Sequence, residues 1–199
     1  MRERLQEAVA ALAAGAVVAI PTDTVYGLAV DPSVGGATDA LFALKSRPET
    51  LDLPVLVGTM EQADALAGPA GLPAPARQLA QRFWPGALTI VVPRRSGLDW
   101  VLGAHAGTIG LRLPDHTVAR ALCDAVGPLA TTSANRHGRA PCTDADAVRR
   151  EFGAGVVVVD DGRCSGAPST VVDMLEVPPR CLREGVVPRA QVIAAVEDH

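Results

Sequence analysis

Ala16-Val17-Val18-Ala19-Ile20-Pro21-Thr22-Asp23-Thr24-Val25-Tyr26-Gly27-Leu28 is an apolar run that turns, at a single proline, into a cluster of hydroxyls and one carboxylate. The run at 16–20 reads as a buried strand. Pro21 cannot donate to a sheet ladder, so the strand should end there. Thr22, Asp23 and Thr24 then stand at the strand's exit, where open α/β sheets place their ligands. Gly27 permits close backbone approach, and Tyr26 is the chain's one tyrosine. The competing reading is a turn whose hydroxyls cap backbone groups. The neighbouring sequence has to decide.

Upstream, Leu5, Val9 and Leu12 fall at helical spacing, so residues 3–14 read as a helix ended by Gly15. Arg2 and Arg4 before an alanine-rich run imitate a secretory signal, but Glu3 and Glu7 spoil the basic region. No segment reaches the roughly 18 apolar residues of a membrane span, so a cytoplasmic protein without a membrane partner is expected.

Downstream, a helix is expected at 37–45, stopped by Pro48. A short strand follows at 54–57. Thr59 with Gln62 three residues later forms a capping-box pattern. Residues 68–75 read as a surface connector, 76–83 as a helix, and 87–92 and 108–113 as strands. Asp115 is placed to cap a helix at 117–126. A strand at 128–132 leads into Ser133-Ala134-Asn135. A helix at 144–152 closes at Gly153. Strands at 156–159, 170–174 and 180–183 precede a helix at 188–196. Strands and helices interleave without strict alternation, which predicts one domain over 1–199: a mixed twisted sheet with flanking helices.

Composition narrows the function. With 18 basic and 22 acidic residues the net charge is −4, which argues against a protein held mainly by nucleic-acid phosphates. Cys123, Cys142, Cys164 and Cys181 form no C-x-x-C pair and no metal-ligand spacing with histidine, so they read as free thiols. Neither standard phosphate loop is present, nor a G-x-S-x-G elbow. The polar groups that stand out lie at predicted strand or helix ends. Lys45 and Arg47 can converge on one anion or simply complement a solvated helix C-terminus. Trp84 reads as core and Pro85-Gly86 as a turn, with Thr89 in the strand behind. Arg112 sits among apolar neighbours and needs a partner, either a ligand anion or a structural Asp. Ser133 and Asn135 can hydrogen-bond phosphates and ribose. Ser169 starts a later strand, and Arg183 lies in another. Lys45, Asn135 and Tyr26 are each the sole residue of their type.

In this order, Pro21 to Leu28, Lys45-Ser46-Arg47-Pro48, Trp84 to Thr89, Arg112 with Pro114, Thr132 to Asn135, Ser169 to Asp173 and Leu182 to Gly185 resemble the YrdC-like family. That family comprises threonylcarbamoyl-adenylate synthases, and the resemblance runs from about residue 5 to 190. It implies a YrdC-like twisted mixed β-sheet with flanking helices around a concave cavity. It implies a nucleotidyltransferase that joins L-threonine, bicarbonate and ATP into threonylcarbamoyl-adenylate and pyrophosphate for tRNA t6A modification, with Mg2+ accompanying ATP. A downstream tRNA threonylcarbamoyl-transferase complex is the implied partner, with weak or no direct nucleic-acid binding. By the same resemblance Thr22, Thr24, Arg112 and Ser169 border threonine and its carbamate, Arg112 holding the carboxylate. Lys45 and Arg47 face the phosphates as the catalytic pair, and Thr89, Ser133, Asn135 and Arg183 contact the nucleotide. Leu51, Leu56 and Pro141 depart from the family pattern. Two other readings stand beside it: an RNA-binding or ribosome-associated module of the same fold, and a carbamoyl-transfer relative acting in cofactor maturation.

Overall fold

The computed structural model describes residues 2–45, 51–136, 138–176 and 178–197. The expected strand at the head of the chain is β1 (Val18–Ile20), and it does stop at Pro21. The chain then loops through the hydroxyl cluster and returns antiparallel as β2 (Gly27–Val30), Ile20 facing Gly27. The remaining strands are β3 (Val55–Leu56), β4 (Leu88–Pro93), β5 (Thr108–Arg112), β6 (Leu129–Ser133), β7 (Val157–Val158), β8 (Thr170–Asp173) and β9 (Arg180–Arg183). They form one nine-stranded sheet in the order β7-β1-β2-β6-β3-β5-β4-β8-β9. The sheet is mixed, as expected: β1–β7, β3–β5 and β4–β8 run parallel and the other pairs antiparallel.

Seven α-helices flank it among the described residues: α1 (Arg2–Ala13), α2 (Ala37–Lys45), α3 (Met60–Leu66), α4 (Ala74–Phe83), α5 (Thr117–Val126), α6 (Ala145–Phe152) and α7 (Arg189–Glu197). Thr59 caps α3 by accepting from the Gln62 N–H, and Gln62 Oε1 reaches back to the Gly58 N–H at 2.8 Å. The reciprocal bond thus lands one residue before the cap. Asp144 caps α6 by accepting from the Ala147 N–H, and Gly153 ends it at φ 67°. The cap expected from Asp115 does not form. Helix α5 begins one residue later, with His116 at the cap position and no side-chain bond there.

The two faces of the sheet are covered unequally. Leu28, Val30, Val55, Ile90 and Leu111 point into a large core shared with Leu41, Leu66, Leu79 and Val192 of the helices. On the other face, Ile20, Ala29, Leu56 and Leu129 pack against Leu12 of α1 and Leu122 of α5. That cover ends at Leu56. Arg112 is its register partner on β5, followed outward by Gly110 opposite Val91 and by Thr89 opposite Val171. This half of the face is open and forms a concavity.

Candidate functional site

Two cavities occupy that concavity. The first, about 300 Å³, is lined by Thr22, Thr24, Thr89, Arg112, Ser133, Ser169 and Arg183, with Pro54, Leu56 and Pro141 as apolar wall. The second, about 450 Å³, lies further along the same face and shares Pro54, Thr89 and Arg183 with the first. Both fall in the range of small-molecule sites, roughly 300–1,000 Å³.

The strand-exit turn builds one corner. Thr22 Oγ1 donates to the Val25 carbonyl at 2.7 Å and lies 2.9 Å from Thr24 Oγ1. The capping reading of these hydroxyls is therefore correct, and the same hydroxyls line the cavity. Arg112 finds its partner here. Its Nη2 donates to Asp23 Oδ1 at 2.6 Å, Nη1 to Thr24 Oγ1 at 3.0 Å and Nε to the Gly86 carbonyl at 3.0 Å. The structural Asp that the sequence left as one alternative is Asp23. Three of the five guanidinium N–H groups are used in this way. Burial pulls the Arg112 pKa down, and Asp23 opposes that shift. A loop leads from β7 toward β8 and ties the corner in place. Ser165 Oγ bonds the Asp23 and Thr24 carbonyls, the Gly166 N–H bonds Thr24 O, and Tyr26 Oη donates to Gly162 O at 2.9 Å.

Of the two readings of Lys45, burial excludes the solvated helix end. The residue is 3% exposed. Its Nζ donates to the Ser133 carbonyl at 2.6 Å, to Ser133 Oγ at 3.0 Å and to Asn135 Oδ1 at 3.0 Å. Asn135 Nδ2 donates to the carbonyls of Arg136 and Arg139, which turns its Oδ1 toward the lysine. Ser133 Oγ donates to the same Oδ1 at 2.6 Å. Ser133 lines the cavity, while Lys45 and Asn135 stand behind it. Arg47 lies outside the described residues.

The opposite corner is built from β4, β8 and β9. Thr89 Oγ1 lies 3.0 Å from Ser169 Oγ. Arg183 donates from Nη2 to the Ser169 carbonyl at 2.8 Å and to Ser169 Oγ at 3.0 Å. Among the described residues no carboxylate lies within ion-pair distance of Arg183. Burial lowers its pKa and the like charge of Arg112 lowers it further. The first cavity therefore holds two guanidinium groups against the single carboxylate of Asp23, an electrostatic setting for an anion.

Sequence reasoning did not assign Asp23 to Arg112 or find the second cavity's lining. The carboxylate was visible in the turn, but its partner is 89 positions away. Leu56 and Pro141 line the first cavity and Leu51 lines the second, so all three departures from the family pattern fall at the site. Among the described residues no group of three His, Cys, Asp or Glu is placed to hold a metal ion. Trp84 is core, as expected, with Nε1 donating to Leu88 O at 2.7 Å.

The Sua5/YciO/YrdC family model, described as Telomere recombination, matches residues 10–185. A relative from Mycobacterium leprae (strain TN) is 42% identical over 94% of this chain and 86% of its own length. The threonylcarbamoyl-AMP synthase of Chromohalobacter salexigens is 38% identical over 86% of this chain and 93% of its own. Among solved structures, Pyrococcus abyssi Sua5 complexed with L-threonine superposes with a TM-score of 0.91 at 33% identity. That match covers 97% of this chain and 57% of the longer Pyrococcus chain.

Proposed function

The chain belongs to the Sua5/YciO/YrdC family, and we propose that it is a threonylcarbamoyl-AMP synthase, a nucleotidyltransferase serving tRNA modification. The observation that carries this reading is the convergence of Thr22, Thr24, Thr89, Arg112, Ser133, Ser169 and Arg183 on one cationic cavity. A relative of the same fold is described as complexed with L-threonine, an amino acid whose carboxylate suits such a cavity.

The amine of threonine combines with bicarbonate, losing water, to give a carbamate. A carbamate oxygen then attacks the α-phosphorus of ATP, and pyrophosphate leaves. Such a transfer rests on positioning and charge neutralisation more than on a protein nucleophile. The residues match that demand. Thr22, Thr24 and Ser169 offer hydroxyls to threonine and its carbamate. Arg112, held in place by Asp23, turns its remaining N–H groups to the carboxylate. Ser133 faces the phosphates, braced from behind by Asn135 and by the charge of Lys45, and Arg47 is the further phosphate cation of this reading. Thr89 and Arg183 meet the nucleotide where the two cavities join. Mg2+ enters as MgATP on the phosphate oxygens. The product is an activated acyl-adenylate, so the fitting downstream partner is a transferase that delivers the threonylcarbamoyl group to tRNA.

Incubation with radiolabelled bicarbonate, L-threonine and MgATP tests this reading. It predicts label in a threonylcarbamoyl-adenylate product, and label that never leaves bicarbonate would refute it.

A further inference from the structure

Arg183 stands where a side chain is hardest to hold still. Strand β9 is the last in the sheet order, and Arg183 is its last residue. The ladder beside it is irregular. Val171 faces Arg183 and Val172 faces Cys181, so Leu182 is the extra residue of a bulge. Edge strands leave backbone groups unpaired, and the ends of elements open most readily. Yet Arg183 borders both cavities and bonds Ser169 through Nε at 3.1 Å and through Nη2 at 2.8 and 3.0 Å.

The backbone behind it is fixed from outside the ladder. Past Arg183 the chain crosses the start of β8 as a strap, residues 184–187. The Val186 N–H donates to Pro168 O at 3.0 Å. Three more backbone groups of the strap meet one hydroxyl. Thr170 Oγ1 accepts from the Gly185 N–H at 2.8 Å and the Val187 N–H at 3.1 Å, and donates to the Val187 carbonyl at 2.6 Å. One donor and two lone pairs are the whole capacity of a hydroxyl, so Thr170 is saturated. Gly185 lets the strap lie this close. A Cβ there would fall 2.2 Å from Pro168 O and 2.6 Å from the Ser169 carbonyl carbon. Thr170 is fully buried and lines neither cavity. The pin thus sits next in the chain to Ser169, the residue that Arg183 grips.

We infer that Thr170 is a positioning residue for the reaction, whose hydroxyl pins the strap that sets Arg183 at the border of the two cavities. This rests on the synthase reading, in which Arg183 meets the nucleotide. Without the hydroxyl, three buried backbone groups lose their partner and the strap must shift to find others. The shift carries the guanidinium with it. Misplacing a positioned group by about 1 Å is enough to cost on the order of tenfold to a hundredfold.

Thr170→Val keeps the shape and deletes the hydroxyl, and Thr170→Ser keeps the hydroxyl. Each is made in the full-length chain and again in Arg183→Gln, and pyrophosphate release is followed while MgATP and L-threonine are varied in turn. KM for MgATP should rise about tenfold in Thr170→Val. Its kcat and its KM for L-threonine should stay within about twofold of the parent, as should every constant of Thr170→Ser. In the Arg183→Gln background Thr170→Val should add nothing, because the group it acts through is gone. A merely structural role lowers the melting temperature and leaves KM of the folded enzyme untouched. A parental KM for MgATP in folded Thr170→Val therefore overturns the inference, as does a tenfold rise that persists in Arg183→Gln. Should Thr170→Val not fold, Thr170→Ala carries the same comparison, since it removes the hydroxyl without setting a methyl against the strap's polar groups. A parent that releases no pyrophosphate would sink the synthase reading together with this one. An active parent whose KM for MgATP ignores position 170 would sink this one alone.

Discussion

Arg112 and Arg183 line the same cavity and are held in opposite ways. Arg112 is almost fully buried and bonded to a carboxylate, a hydroxyl and a carbonyl. Arg183 is held by the neutral oxygens of one serine and feels Arg112 as a like charge. The first guanidinium is built into the scaffold that shapes the site. The second keeps a charge that the described protein does not neutralise. A buried charge needs a partner to be tolerated at all, whereas a charge at a cavity border can wait for its ligand.

The comparison can be broken from its scaffold side. Asp23→Ala removes the carboxylate and leaves Arg112 buried with only neutral acceptors. Breaking a buried pair by deleting one partner costs about 3 kcal/mol even with some solvent access. Chemical denaturation should show a loss of that size, and a loss below about 1 kcal/mol would mean that Arg112 does not depend on Asp23. On the other side, Arg183→Gln keeps a donor near Ser169 and removes the charge. Stability should stay within about 0.5 kcal/mol, while ATP affinity falls roughly 10- to 100-fold, the worth of one charged hydrogen bond. Unchanged ATP affinity with a clear stability loss would return Arg183 to the scaffold.

Tyr26 sharpens the contrast, since it braces the Arg112 side by bonding Gly162 O. Burial, reinforced by Asp160, pushes its phenol up to about 12 from an ordinary 10, against a lowering backbone bond. The stabilisation from keeping the phenol neutral is fully present below pH 10 and is lost as pH rises toward the folded value. Between those values the unfolded chain has released a proton that the folded chain retains, so stability declines with pH. Burial likewise pushes the Cys123 thiol up to about 12, and its share of the decline starts near pH 9. Tyr26→Phe should cost about 1 kcal/mol at pH 7 and flatten the decline above pH 10. Denaturant titrations of both proteins at pH 7, 9, 10 and 11 measure this. An identical alkaline decline in the variant would contradict the buried, neutral phenol.

The sequence made most of the elements legible because their signals are local. Pro21 stopped β1, Thr59 and Asp144 capped their helices, and Gly153 ended α6. Lys45 stayed open between a solvated helix end and an anion site for the same reason. By local rules a lysine in the last turn of a helix faces water, and only the packing of α2 beside the end of β6 buries it on Ser133 and Asn135. The hydroxyls and cations of the first cavity announced themselves by residue type. The floor of the second did not, because Gly110, Val91 and Val171 are unremarkable until β5, β4 and β8 lie side by side. That adjacency joins segments far apart in the chain, and no periodicity within one strand encodes it.

The most direct test of the account is pyrophosphate release measured with each substrate withheld in turn. A synthase that joins three substrates predicts release only when L-threonine, bicarbonate and MgATP are all present. Release that continues undiminished without threonine would show a generic nucleotide hydrolase, and the account of this cavity as a threonine-activating site would be wrong.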